Sequence, residues 1–463
     1  MVYQRLPNHA VSGILLSFFV LLIYVVNVTS AQKGQCHLDI PWQVSSNTNL
    51  HPKDPSKTNL AILTMEQIRV EPIVRSPLLV IGSESFYMIP NTLASYRLSL
   101  ELGADYIHVK LCVSKDGVLV VSPHYDLNQT TNVETVFPDR SRIINDESAY
   151  YIQDFTLEEL KQLYVISKDN DSTRSQYLNQ TAQIPTLLET MEMLHEWNQH
   201  TRTLLTNVDL EEVSRQAGLY VELMYVNFFE SDSSLSLGDI LLEFLKNNTI
   251  AQQTIFSNST RNSCDESNGL YQVPPLVIQS YDSTLLIHLQ TVFREDAKIF
   301  QKASTDSNIT DTSAYHGITP SIVYMVSDRM CLDEQFWFRL SQVNPDAISA
   351  HKKCLVSNDE NKRISAEEFM TRSTENEIAV HVRVQSPELE KIENDDFANA
   401  EEELRHLFCV MNIHGVFAEN VDLAVRVGLR GCDDFRKFVN VGDNTIVEET
   451  LDEQKGKIGR AHV

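Results

Sequence analysis

Short apolar, β-branched runs alternate with longer stretches of helical periodicity along most of this chain, and that alternation constrains its fold more than any other feature. A strand that feeds a helix and then another strand in the same sheet runs parallel to it, and parallel sheets need both faces covered. Candidate strands are Leu78–Ile81, Asp105–Leu111, Gly218–Leu223, Leu276–Gln279, Lys298–Lys302, Asp346–Ala350, Ile378–Val382 and Ile413–Phe417. Apolar residues three and four apart mark helices over Thr92–Leu102, Thr156–Tyr164, Thr186–Trp197, Leu237–Leu245, Ser283–Phe293 and Ala400–Val410. The pattern predicts an α/β chain closed into a (β/α)8 TIM barrel, whose chemistry would sit at the C-terminal ends of the strands. One interruption is expected. Asp116-Gly117 between two apolar runs is a turn signal, so the second strand should return as a hairpin through Val118–Val121 and carry His124 over the barrel mouth.

The bulk properties exclude some partners. With 63 acidic against 38 basic residues the net charge is -25, which repels nucleic acid and anionic membranes. Arg5 precedes an apolar run from Val11 to Val26, and Val28 and Ser30 have the spacing of a signal-peptidase site before Ala31. Residues 1–30 therefore read as a signal peptide and the chain as secreted. The run is slightly short of the ~20 residues that span a bilayer, and the alternative is a retained anchor and a type II membrane protein.

Acceptor tripeptides for N-glycosylation at Asn128, Asn170, Asn179, Asn247, Asn258 and Asn308 agree with a secretory route. So do seven cysteines, none with zinc-type spacing. Cys112 reads as a small buried hydrophobe within a strand; Cys331 with Cys354 and Cys409 with Cys432 are the expected bridges, while Cys36 and Cys264 are left unassigned. The organisation expected is a polar lead over 31–72, a barrel over 73–430 and a tail over 431–463. Ile458–Val463 reads as translated adapter DNA, so a membrane anchor or a further domain could follow Asp452.

Several stretches together resemble the glycerophosphodiester phosphodiesterases, in particular their bacterial periplasmic branch. They are Pro90-Asn-Thr-Leu-Ala-Ser-Tyr96, Gly103-Ala-Asp-Tyr-Ile107, Lys115-Asp-Gly117, Phe137-Pro-Asp-Arg140, Asp154-Phe-Thr-Leu-Glu-Glu-Leu160, Ile184-Pro-Thr-Leu187 and Gly415-Val-Phe417. The resemblance implies a barrel of the phospholipase-C-like phosphodiesterase type. It also implies an ancestor that cleaved deacylated phospholipids into glycerol 3-phosphate and an alcohol. Such chemistry uses two histidines as general acid and base, an arginine on the phosphate, and a divalent cation held by carboxylates, Ca2+ or Mg2+ for oxygen ligands.

Carried over position by position, that constellation is largely replaced. The histidine and arginine after the first strand fall on Ser83 and Glu84, and the acidic residue of the next motif is absent before Asn91. The two carboxylates of the second strand fall on His108 and Lys110. The second histidine falls on Pro123, with His124 or Asp126 as a substitute if the loop shifts. Glu222 survives as a vestigial metal ligand, its family lysine has become Met224, and the last strand ends in Ala418-Glu419.

Two readings of Glu222 are open, a metal ligand or a carboxylate paired with Lys110. His108, His124 and Glu222 could instead favour Zn2+. Three functions stay open: a silent barrel acting as a binding or structural module, with a small phosphate-bearing ligand at its mouth; a phosphodiesterase with an altered metal site; or one degenerate half of a longer enzyme. No cofactor is expected for the first, and membrane contact only through a retained leader or a C-terminal anchor.

Overall fold

The computed structural model describes residues 78–432, apart from 84–86, 145, 167–180, 207–216, 234, 257–274, 306–309, 311, 333, 357–364, 384–396 and 398. Eight parallel strands close into a barrel: β1 (Leu79–Gly82), β2 (Tyr106–Val113), β6 (Gly218–Leu223), β7 (Leu276–Ser280), β8 (Ser321–Val326), β9 (Ala347–His351), β10 (Ala379–Arg383) and β11 (Gly415–Ala418). Closure is made by β1, which pairs with β11 on one side and β2 on the other. Between and after them run α1 (Leu93–Glu101), α2 (Leu187–Thr206), α3 (Leu237–Asn247), α4 (Ser283–Thr305), α5 (Glu334–Val343), α6 (Ala366–Glu375), α7 (Ala400–Cys409) and α8 (Val421–Arg430). The strand–helix alternation of the sequence thus becomes a (β/α)8 barrel with both sheet faces covered.

Helix starts follow capping chemistry. Thr92 caps α1, its hydroxyl accepting from the Ser95 N–H at 3.2 Å, and Ser236, Ser365, Asn399 and Asn420 cap α3, α6, α7 and α8. The Pro90-Asn-Thr92 motif therefore serves helix initiation here.

Seven expected strands fall within two residues of observed ones. The fifth, Lys298–Lys302, is helical and lies near the end of α4. Leu285, Leu286, Leu289 and Phe293 continue one buried stripe, and Asp296 extends it by accepting from the backbone N–H groups of Tyr315 and Gly317. The true strand is Ser321–Val326, buried along its whole length. The helix expected over Thr156–Tyr164 is a single turn, Leu157–Leu160.

The hairpin forms as expected. β3 (Leu119–Val121) pairs antiparallel with β2, Cys112 opposite Val120, and Gly117 turns the chain with φ 79°. A second small hairpin, β4 (Arg142–Ile144) with β5 (Glu147–Ala149), lies in the same insertion.

Cys331–Cys354 and Cys409–Cys432 are disulfide-bonded, with Cα–Cα separations of 5.8 and 5.2 Å, and Cys112 is a buried free thiol whose pKa burial pushes up to about 12. Cys331–Cys354 ties the segment after β8 to the one after β9. Replacing both of its cysteines by serine should cost about 3 kcal/mol, the entropy of closing a loop of this order. Urea unfolding would show it, and an unchanged midpoint would refute it. No helix among the described residues is long and apolar enough to cross a membrane, and the Val11–Val26 run lies outside them. Of the glycosylation sites, Asn247 is exposed at the end of α3. Asn128 is half-buried, with its Nδ2 donating to Glu134 and its Oδ1 accepting from the Tyr150 N–H; Asn170, Asn179, Asn258 and Asn308 lie outside the described residues.

Candidate functional site

Side chains on alternate residues of each strand point into the barrel, so its lumen is stratified along the strand direction. The lower stratum is an apolar plug with one residue from each strand: Ile81, Tyr106, Tyr220, Val277, Val323, Ala347, Ala379 and Phe417. Two residues further along lie His108, Glu222, Gln279, Met325, Ser349 and His381, all buried. Beyond them Lys110 and Arg383 stand at the mouth, both half-buried.

The centre of the polar stratum is Glu222. His108 Nε2 lies 2.8 Å from its Oε2, and the Gln279 amide donates to the same oxygen at 2.7 Å. Burial would raise this carboxyl, but Lys110's charge and the His108 hydrogen bond, with Arg383 behind them, outweigh it and hold the pKa at about 2. Burial lowers the His108 pKa and outweighs the contribution of Glu222. The pair at neutral pH is therefore a neutral imidazole donating to a carboxylate. Phe417 and Tyr220 meet the His108 ring edge to face at 4.9 and 6.1 Å.

Across the lumen, Tyr220 Oη lies 3.0 Å from His381 Nδ1, and burial drives the His381 pKa down to about 3. Gly415 makes room for this ring, since a Cβ there would stand 2.8 Å from His381 Cδ2. At the mouth, Arg383 Nη2 donates to the Val326 carbonyl at 2.6 Å and Nη1 to Tyr281 Oη at 2.5 Å. The guanidinium thus reaches from β10 past β9 to β8 and to the residue following β7.

The expected site residues are only partly brought together. Glu222 and His108 meet, but the hydrogen-bonding partner of Glu222 is His108 with Gln279 rather than Lys110, which acts on it through charge alone. His124 does not join them; its Nδ1 lies 3.4 Å from Tyr225 Oη at the edge of an aromatic cluster with Tyr125, Tyr151 and Phe228. Ser83 follows β1 and donates its N–H to Ala418 at 3.1 Å, Pro123 is half-buried beside His124, and Glu419 follows β11; Glu84 lies outside the described residues.

Among the described residues no three of His, Cys, Asp or Glu gather closely enough to hold a metal ion. The donors present fit a hard divalent cation poorly. The buried carboxylate is already an acceptor for two side chains, and a fixed ammonium stands two residues beyond His108. Sequence reasoning missed Gln279, Tyr281, His381 and Arg383. Gln279 and Arg383 interrupt or end otherwise apolar strands, and that pattern was a usable signal.

The model of the glycerophosphoryl diester phosphodiesterase family matches residues 82–304. A glycerophosphodiester phosphodiesterase of Caldanaerobacter subterraneus subsp. tengcongensis is 30% identical over 121 residues, 26% of this chain and 39% of the relative. One of Treponema pallidum is 38% identical over 77 residues, 17% of this chain and 21% of the relative. The matched stretches thus span well under half of these relatives. Among solved structures, a putative glycerophosphoryl diester phosphodiesterase of Silicibacter pomeroyi DSS-3 is 12% identical with a TM-score of 0.47, covering 77% of this chain and 95% of that one. A phosphodiesterase of Oleispira antarctica, solved with sn-glycerol-3-phosphate, is 16% identical with a TM-score of 0.45, covering 77% and 97%. Residues 82–304, a little under half of the chain, are thus similar to the glycerophosphoryl diester phosphodiesterase family.

Proposed function

We propose that this protein is a secreted member of the family that has given up metal-dependent hydrolysis and works as an extracellular binding module. The carrying observation is the state of Glu222. A carboxylate that served a divalent cation would keep its oxygens open to the lumen and would stand among other oxygen ligands. Glu222 instead accepts from His108 and Gln279 through one oxygen, with Lys110 beside it. The family's histidine positions fall on Ser83, a backbone donor to β11, and on Pro123, which has no general acid or base to offer. Two disulfides, the leader and the exposed acceptor Asn247 support a secretory route.

The test is hydrolysis of glycerophosphocholine by the purified full chain with Ca2+ or Mg2+ present. The expected result is no release of glycerol 3-phosphate above a matched chain carrying Glu222→Gln. Release that is abolished by EDTA and by this substitution would overturn the proposal.

A further inference from the structure

We infer that the barrel mouth is a metal-independent oxyanion site in which Lys110 and Arg383 together hold a phosphate-like group. The inference rests on the reading of the barrel as a binding module and names what it binds. Lys110 continues the inward face of β2 beyond Tyr106 and His108, and its half-buried ammonium makes no hydrogen bond to any described residue. Among the described residues no side chain takes any of its three donors. Its register partner on β6 is Glu222, whose Oε2 is already engaged by His108 and Gln279.

Arg383 approaches from β10 and is held in place at both ends of its fork by the Val326 carbonyl and the Tyr281 hydroxyl. Its Nε is buried with no hydrogen-bond partner. A guanidinium fixed in this way loses little freedom when an anion arrives. The Tyr281 ring lies beneath it, 5.3 Å from centroid to guanidinium carbon, and is 39% exposed, so it also offers a flat face to the organic part of a ligand.

Lys110 and Arg383 stand two residues beyond the buried His108 and His381 on the inward faces of β2 and β10, so both strands present a cation at the mouth side of the polar layer. In a chain of net charge -25 that is an unusual place to keep two cations near the lumen. A tetrahedral oxyanion has acceptors on every side and can take donors from both strands at once, which a planar carboxylate does less well. The positive charge that a divalent ion would have supplied is thus covalently part of the chain.

Calorimetry on the full chain in EDTA at low ionic strength tests this, with inorganic phosphate, sulfate and acetate as probes. Phosphate and sulfate should bind and acetate should bind more weakly, while Lys110→Met and Arg383→Met each lower phosphate affinity about tenfold to a hundredfold. Lys110→Arg should retain binding. If Arg383→Met fails to fold, the contrast between Lys110→Met and Lys110→Arg decides the matter, with thermal melting in phosphate as a second reading. Absence of phosphate uptake at millimolar concentration would overturn the inference, as would uptake that both methionine variants leave unchanged. Hydrolysis dependent on metal would overturn the binding-module reading instead, and the two failures are read in different assays.

Discussion

Truncation of Glu222 to alanine is expected to lower the stability of the barrel by about 3–5 kcal/mol, the cost of removing one member of a buried charged cluster. The reason lies in what is left behind. Lys110 and Arg383 both lower Glu222, and without it their charges face a lumen that holds neutral His108, Gln279 and Ser349. The Gln279 amide would also lose its acceptor in a place water reaches poorly. Glu222→Gln, which keeps an oxygen and the shape, should cost less. Adding His108→Leu to the alanine variant should recover part of the loss, because fewer polar groups then need partners. Urea unfolding at neutral pH measures all three, and an alanine variant within about 0.5 kcal/mol of the natural chain would show that this cluster is not coupled to folding.

Acid should destabilise the protein well above the pH range of carboxylate titration. His381 takes a proton near 6.5 when unfolded but only near 3 when folded, because burial, with His414 adding to it, keeps the imidazole neutral. Between those values the unfolded chain binds more protons, so stability is complete above about 6.5 and falls as pH drops toward 3. At about 1.4 kcal/mol per pKa unit, this histidine alone contributes about 5 kcal/mol over the whole window. His108, His124, His406 and His414 are also lowered by burial and act in the same direction. Glu222 adds a separate loss between 4.5 and about 2, since its folded pKa is the lower one. Calorimetric melting from pH 7.5 to 4.5 should therefore show a steady fall, made shallower by His381→Gln. A flat profile across that range would contradict the burial argument.

The barrel was legible in the sequence because each strand–helix unit carries its own pattern, and seven of the eight strands announce themselves by β-branched runs. The eighth was lost to a local ambiguity. Lys298-Ile-Phe-Gln-Lys302 has strand-like residues, yet they continue a helix whose stripe began at Leu285, while the strand is Ser321–Val326. Periodicity within a few residues cannot separate these cases, and only the length of the preceding stripe could.

Of the residues singled out in the sequence, His108 and Glu222 are brought into contact. The residues around them were not singled out. Gln279 meets Glu222 from the neighbouring strand, and His381 and Arg383 meet Tyr220 and Tyr281 from more distant strands, at sequence separations of 57, 161 and 102 residues. Such contacts depend on how far each strand is staggered against the next, and local pattern carries no information on stagger.

The stratified lumen bears on that stagger. A slip of one residue along a strand turns its apolar face outward and is costly at once, but a slip of two residues leaves every side chain on its original face. A lumen of uniform aliphatic residues would tolerate the second kind. Here it would move Lys110 down to the level of Glu222's partners, or raise Tyr106 into the place of His108, leaving buried groups without their counterparts. The polar layer therefore acts as a vernier on the barrel, selecting one closure from those that hydrophobic patterning alone would accept.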